Sequence, residues 1–258
     1  MSALATPTAV VVIPCYNEAG RLDREQLEAL LREPAVGLVL VDDGSRDGTA
    51  DGLRAIAAAH PGRVDVVTFE RNRGKAEAVR AGMRLALDRG ARWVGYLDAD
   101  FATPAAEMLR LLDVIRTTGK GCVLASRVAR LGARVERRAS RHLLGRVFAT
   151  LASLALDLTV YDTQCGAKWF ASGPELEAAL ARPFRARWVF DVELLGRLLG
   201  RIDDGPALRV DDVLEVPTEA WRDVRGSKLR LGAMARSLVD LADVARRRFA
   251  RTRQQRNG

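Results

Sequence analysis

The chain has 258 residues, 48% of them hydrophobic and 29% charged, enough for one substantial core and unlike a disordered or fibrous protein. Its formal net charge of +8 is concentrated in residues 222–258, where eleven Lys/Arg face three Asp/Glu, while the thirty of each sign before them cancel. Two histidines, His60 and His142, leave little from which to build a histidine-rich zinc site or a histidine-based catalytic triad.

In chain order, residues 10–13 and 38–41 are short aliphatic runs that read as strands, and residues 21–32 between them carry leucines at helical spacing. The pattern continues with a helix over 51–60, a strand over 64–69, a helix over 75–89 and a strand over 93–97. A helix over 107–117 and a strand over 121–125 follow, and then an Arg-rich connection over 127–141 without periodicity, read as a mobile loop. Such alternation predicts a single α/β domain built on a mostly parallel sheet flanked by helices, with ligands bound at the carboxyl ends of the strands. Residues 1–228 are assigned to this domain and 229–258 to a C-terminal helix and tail. The most apolar stretch, 143–160, is interrupted by Arg146 and Asp157, so no transmembrane helix is expected. Cys15, Cys122 and Cys165 form no CxxC pair, and the chain opens without a basic start and long apolar run, which fits a reduced cytoplasmic setting.

Three strand ends carry polar clusters that should converge on one crevice: Cys15-Tyr16-Asn17-Glu18, Asp42-Asp43-Gly44-Ser45 and Asp98-Ala99-Asp100. Two carboxylates one residue apart at a strand end suit Mg²⁺ or Mn²⁺ bound to a diphosphate, because hard oxygens hold the cation while phosphates complete its shell. The same D-x-D pattern also occurs in turns and helix caps, so its context carries the weight. That context is Asp42-Asp43-Gly44-Ser45-Arg46-Asp47-Gly48-Thr49 after one strand and Asn72-Arg73-Gly74-Lys75 after another.

Together with Pro14-Cys15-Tyr16-Asn17-Glu18, these motifs resemble, in order, the signature of inverting GT-A glycosyltransferases. Three later motifs are similar to the dolichyl-phosphate β-glucosyltransferase branch of polyprenyl-phosphate glycosyltransferases: residues 162–170, residues 187–195, and Trp221 with Gly226-Ser227-Lys228-Leu229. The resemblance spans about residues 10–231, with Ala76 where a glycine is usual and without the N-terminal membrane anchor of the eukaryotic members.

The resemblance implies that Pro14, Tyr16, Glu18 and Asp43 line the nucleoside, with a carboxylate on the base N–H, and that Lys75 lies near the base or diphosphate. Asp98 then meets the ribose or the metal shell, and Asp100 the metal itself. Arg127, Arg138 and Arg141 are candidates for phosphate contacts because a guanidinium fork matches phosphate oxygens; solvated surface charge is the plain alternative for each. Gln164 and Lys168 are candidates to face the sugar or the lipid phosphate. Asp191 is either a base, a residue that orients donor or acceptor, or a helix cap after Phe190. A phosphate acceptor is mostly dianionic near pH 7 and needs no strong base. Cys165 reads as a small buried apolar residue.

The reaction implied is transfer of glucose from UDP-glucose to a polyprenyl or dolichyl phosphate, by a single displacement with a divalent metal stabilising the leaving diphosphate. A GDP-mannose donor, a non-lipid acceptor and a sugar-nucleotide-binding scaffold are the alternatives. With 5% aromatics and no interleaved basic and aromatic stripe, a nucleic-acid partner is not expected.

In the tail, Leu231, Met234, Leu238, Leu241, Ala245 and Phe249 recur at spacings of three and four, with Arg236, Asp240, Asp243 and Arg247 on the other face. This predicts an amphipathic helix ending in a basic run over 246–256, suited to peripheral contact with an anionic membrane at its cytoplasmic face. Packing of the apolar stripe on the protein's own core is the competing expectation.

Overall fold

The computed structural model describes residues 7–128, 131, 134–136, 139–222 and 231–257. Its strands are β1 (Ala9–Cys15), β2 (Val36–Asp42), β3 (Val64–Thr68), β4 (Trp93–Leu97), β5 (Cys122–Ser126), β6 (Arg134–Glu136), β7 (Ala167–Ala171), β8 (Val213–Pro217) and β9 (Ala220–Arg222). Its helices are α1 (Arg24–Leu31), α2 (Thr49–Ala59), α3 (Lys75–Asp88), α4 (Ala105–Thr118), α5 (Ala139–Leu156), α6 (Pro174–Leu180), α7 (Phe190–Leu198) and α8 (Leu231–Asn257).

Seven strands form one sheet in the order β3-β2-β1-β4-β7-β5-β8, and β6 pairs with β9 in a separate two-stranded sheet. Every pairing in the large sheet is parallel except those of β7, which runs antiparallel to both β4 and β5. The central strands β1, β2, β4, β5 and β7 are buried on both faces, as sheet strands covered by helices are, while the edge strands β3 and β8 are only partly buried. Alternation along β1 sends Val10 and Val12 into the core on one side of the sheet, with α3, α5, α6, α7 and α8, and Ala9, Val11 and Ile13 into the core on the other, with α1 and α4. Gly82 lets α3 approach closely, since a Cβ there would stand 2.4 Å from Val12 Cγ1.

The strand and helix alternation stands as the sequence implies, with local differences. The helix predicted over 21–32 starts at Arg24, because the Asp23 carboxylate caps it by accepting from Gln26 N at 3.2 Å. The connection over 127–141 is not featureless: β6 lies within it, paired in parallel with β9, and α5 begins at Ala139.

Helix α8 is also phased differently from its sequence reading. Leu241 of the apolar stripe is buried, with Val244 beside it, but Leu238 and Phe249 of the same stripe are 51% and 62% exposed, so the stripe is split between the core and the surface. Asp240 and Arg247, expected on the outer face, turn inward. Asp240 accepts from the backbone N–H of Arg187 and Trp188. Arg247 reaches Glu193 at 2.7 Å and Asp203 at 2.9 Å. Among the described residues no helix is long and apolar enough to cross a membrane.

Candidate active site

The carboxyl ends of β1, β2 and β4 open on one edge of the sheet. Because β7 is antiparallel, with Leu97 opposite Ala167, its entry loop arrives at that same edge. One inserted strand thus brings residues 162–166 to Asp98 and Asp100.

The loops after β1 and β2 are stitched together. Asn17 N donates to Ser45 Oγ at 2.9 Å, and Asn17 Oδ1 accepts from Arg46 N at 2.9 Å, with Asn17 held at φ 55°. Glu18 N donates to Thr49 Oγ1 at 2.8 Å, and Asp47 accepts from the N–H groups of Ala19 and Thr49. Pro14 lies half-buried at the end of this ledge, and Tyr16 is 43% exposed. Glu18 is buried: its Oε1 accepts from Arg21 at 2.8 Å, while its Oε2 has no partner. Burial raises the Glu18 pKa against the pull of Arg21, and the charge of Asp100 adds to the rise. An unpartnered buried carboxylate oxygen at a cleft is a ready acceptor for a ligand N–H.

Asp43, expected at the nucleoside, is engaged otherwise. It is buried and accepts from Arg73 N at 2.6 Å, Gly74 N at 2.9 Å and Asn72 Nδ2 at 2.9 Å, so its carboxylate occupies the amino end of α3. This holds the Asn72-Arg73-Gly74 turn, in which Gly74 adopts φ 93°, and presents Lys75.

Lys75 Nζ lies 2.6 Å from Asp98 Oδ1 and 5.7 Å from the Phe190 ring centroid. Desolvation opposes its charge, but Asp98 and Asp191 outweigh that and hold its pKa above the ordinary lysine value. Asp100 is raised by burial and then by the like charge of Asp98, while its Oδ1 accepts from Ala102 N at 3.0 Å. Phe101 between them takes φ 47°, rare for a bulky residue and a conformation that sets the turn of the D-A-D motif.

Among the described residues no group of three or more His, Cys, Asp or Glu can hold a metal by itself. Asp98 and Asp100 fit a divalent cation as two hard, mutually repelling oxygen donors whose charge the cation relieves, with the rest of the shell left to a ligand. Burial pushes the thiols of Cys15 and Cys122 up to about 12, and that of Cys165 up as well, so none is a nucleophile.

Arg127 is not a free fork. Its Nε and Nη2 hold Asp162 at 2.6 and 2.8 Å, its guanidinium lies 5.6 Å from the Trp221 ring centroid, and Glu215 fixes the Tyr161 and Asp162 backbone N–H groups. Gln164 stands beside this pair with its Nε2 buried and unpartnered, and Ser126 Oγ and Thr163 Oγ1 are likewise without partners. Gln164 is a candidate from its motif, whereas Ser126, Thr163 and the role of Glu215 escape the sequence reading, although Thr163 lies within the quoted 162–170 motif. Arg138, with residues 226–229 of the last motif, lies outside the described residues, and Arg141 falls in α5 with its side chain outside them.

Lys168 corrects its sequence assignment as a phosphate contact. It points into the core from β7, 2% exposed, and its amine meets Tyr96 Oη at 2.7 Å, Cys165 O at 2.5 Å and Asp191 Oδ1 at 2.8 Å. Three acceptors exhaust an ammonium. Asp191 is 6% exposed, accepts also from Tyr96 Oη, and makes no helix-capping bond, the N-cap of α7 being Val189. Burial lowers Lys168 to about 8 and lifts Asp191 to about 7. Asp191 is therefore a buried anchor between β4, β7 and α7, not a base open to the cleft.

This fold and this crevice define a GT-A glycosyltransferase. The sequence model of glycosyl transferase family 2 matches residues 10–173, and the chain belongs to that family. It is 31% identical over 251 residues to a dolichyl-phosphate beta-glucosyltransferase of Trichomonas vaginalis, covering 91% of this chain and 69% of that one. It is 31% identical over 166 residues to polyprenol monophosphomannose synthase of Mycolicibacterium smegmatis, covering 62% and 60%. In fold it is similar to the glucosyl-3-phosphoglycerate synthase of Mycobacterium tuberculosis, crystallised with Mn²⁺, UDP and glucosyl-3-phosphoglycerate. That likeness has a TM-score of 0.63 at 23% identity and covers 93% and 81% of the two chains.

Proposed function

We propose that the protein transfers glucose from UDP-glucose to a polyprenyl phosphate with inversion at the anomeric carbon. The observation that carries the reading is likeness over 91% of the chain to a dolichyl-phosphate beta-glucosyltransferase, joined to a crevice whose free groups suit a nucleotide diphosphate. Glu18 Oε2 accepts the base N–H, Tyr16 and Pro14 flank the nucleoside, and Asp43 acts through the loop that presents Lys75. Mg²⁺ or Mn²⁺ held by Asp98 and Asp100 supplies Lewis-acid stabilisation of the departing diphosphate. Lys75 adds a second positive charge at the same place.

The acceptor side is formed by Gln164, Thr163 and Ser126, with Arg127 held in place by Asp162. A phosphate acceptor arrives already ionised, which agrees with a cleft whose one candidate base, Asp191, is buried behind Lys168 and Tyr96. Catalysis then rests on alignment and charge stabilisation. The protein works at the cytoplasmic face of an anionic membrane, and nucleic acid is not a partner.

GDP-mannose is the second donor reading, favoured by the likeness to polyprenol monophosphomannose synthase. Incubation with labelled UDP-glucose or GDP-mannose, polyprenyl phosphate and Mg²⁺ or Mn²⁺, followed by organic extraction, separates the readings. Label in the organic phase from UDP-glucose is expected. Preferential transfer from GDP-mannose replaces the donor, label only in water-soluble product replaces the acceptor, and nucleotide binding without turnover leaves a scaffold.

A further inference from the structure

The large apolar side chains exposed among the described residues are concentrated on two helices. Val147, Leu151 and Leu154 of α5 are 54%, 37% and 66% exposed, and Leu238, Val239 and Phe249 of α8 are 51%, 70% and 62% exposed. The α5 residues follow a spacing of four and three, which aligns them in one stripe. On α8, Leu238, exposed Ala242 and Phe249 fall within one narrow arc, flanked by Val239, Arg246 and Arg253. The inward faces of both helices contribute Ala152, Ala155, Leu156, Leu241 and Val244 to one core, and the helices pack on each other, so their outward faces adjoin.

The charge on these faces is one-sided. Helix α5 contains no acidic residue. Of the two acids in α8, Asp240 is committed to the backbone of Arg187 and Trp188, and Asp243 is paired with Arg246, whose side chain is still 77% exposed. Trp188, 51% exposed, stands next to Asp240 at the margin, where an amphipathic ring suits a lipid headgroup zone.

We infer that the outward face of α5 and α8 is a bilayer-docking surface, seated at the headgroup and acyl boundary of an anionic leaflet. Apolar residues interleaved with arginine complement such a leaflet, and the carboxylates that border them, Asp157 and Asp243, are each paired with an arginine of α8. A second copy of the chain is a poor match, because a self-complementary contact sets one arginine-bearing face against another. The inference rests on the proposed lipid acceptor only for its purpose. The bilayer contact itself is carried by the surface.

The test is co-sedimentation of the full chain with phosphatidylcholine vesicles, with and without phosphatidylglycerol, at low and high salt. Apolar seating predicts a component of binding that persists at high salt. Leu154→Glu with Val239→Glu should weaken that component about tenfold or more, with an unchanged melting temperature, because both positions are exposed. Val239→Trp should strengthen it severalfold, a gain that misfolding does not produce. Equal vesicle binding by wild type and both variants overturns the surface, and so does a wild type that ignores vesicles and forms a dimer abolished by Leu154→Glu with Val239→Glu. Vesicle binding that follows the variants, without label in extracted lipid, supports the surface and removes the acceptor reading alone.

Discussion

A Cβ added at Gly166 would stand 2.2 Å from Asp98 Cγ and 2.4 Å from Asp98 Oδ2, so the absence of a side chain at one residue makes room for the carboxylate of the other. The same pair is tied by Asp98 N donating to Gly166 O at 2.9 Å. Gly166→Ala should push the Asp98 carboxylate off Lys75 and out of register with Asp100. A displacement of about 1 Å at such a centre costs on the order of a hundredfold in turnover. Steady-state kinetics beside a melting curve checks this, with activity lost and the fold retained. Wild-type turnover in Gly166→Ala would show that the placement of Asp98 does not matter.

Asp100→Asn should nearly abolish turnover and leave stability at or slightly above wild type. The amide keeps an oxygen for Ala102 N, and it removes the like charge that faces Asp98. Loss of an anionic ligand should also weaken divalent cation binding. Calorimetric titration with Mn²⁺ and UDP reads the second effect, and near-normal activity at saturating metal would leave Asp100 a purely structural residue.

The ease of reading β1, β2 and β4, and the difficulty with β7, have one cause. Strand ends that finish in Asp42-Asp43 or Asp98-Ala99-Asp100 announce themselves because a sharp aliphatic to polar change marks both the element and its ligand edge. Lys168 sits in a strand buried on both faces, so no alternation tells which way it points, and a lysine in a motif reads as a solvent-facing cation until Tyr96 and Asp191 are seen beside it. β6 is three residues long and is paired by β9 far along the chain, a contact to which local pattern is blind. The phase of α8 is hidden from local pattern for a related reason. Arg247 is inward only because Glu193, 54 residues earlier, is wholly buried and accepts from it.

Lys168→Met should destabilise by about 1–3 kcal/mol, since it takes a hydrogen-bond donor from buried Asp191, which then folds protonated, whereas Lys168→Met with Asp191→Leu should recover much of that. The pH dependence has a definite sign. Burial raises Asp191 from 3.8 to about 7 in the folded protein, so its protonated form favours folding. That contribution is complete below pH 3.8 and is lost as pH rises through about 7. Across this window wild type should lose stability relative to Asp191→Asn, read as denaturation midpoints at a series of pH values. Parallel profiles would mean that Asp191 holds its charge in the fold at no cost.

Arg247 and Arg246 are neighbours in sequence with opposite environments. The first is 14% exposed at its side chain, between Glu193 and Asp203; the second is 77% exposed beside Asp243. Arg247→Ala should cost about 1–2 kcal/mol, the residual bonds of Glu193 to Arg197 and to two backbone N–H groups limiting the loss. Arg246→Ala should stay within about 0.5 kcal/mol of wild type. Chemical denaturation of the two variants decides it, and equal effects would mean that α8 is not docked through Arg247.

The basic end of the chain should act on membranes through charge that the fold has not already consumed. Arg247 reaches Glu193 and Asp203, Arg248 lies 3.4 Å from Asp157, and Arg251 pairs with Asp204. Deleting 246–258 would therefore remove fold contacts along with surface charge and confuse the two. Arg246 and Arg253 are exposed, and with Arg256 they form the set to neutralise. Each cation near an anionic leaflet contributes about 1 kcal/mol of attraction that decays within a Debye length of about 8–10 Å. Changing all three to Gln should weaken binding to phosphatidylglycerol vesicles by roughly a hundredfold at low salt and leave UDP affinity and the melting temperature unchanged. Raising salt should bring wild type down to the level of the triple variant. If that variant binds as tightly as wild type at low salt, these arginines are merely solvated, and any membrane contact belongs to the apolar face alone.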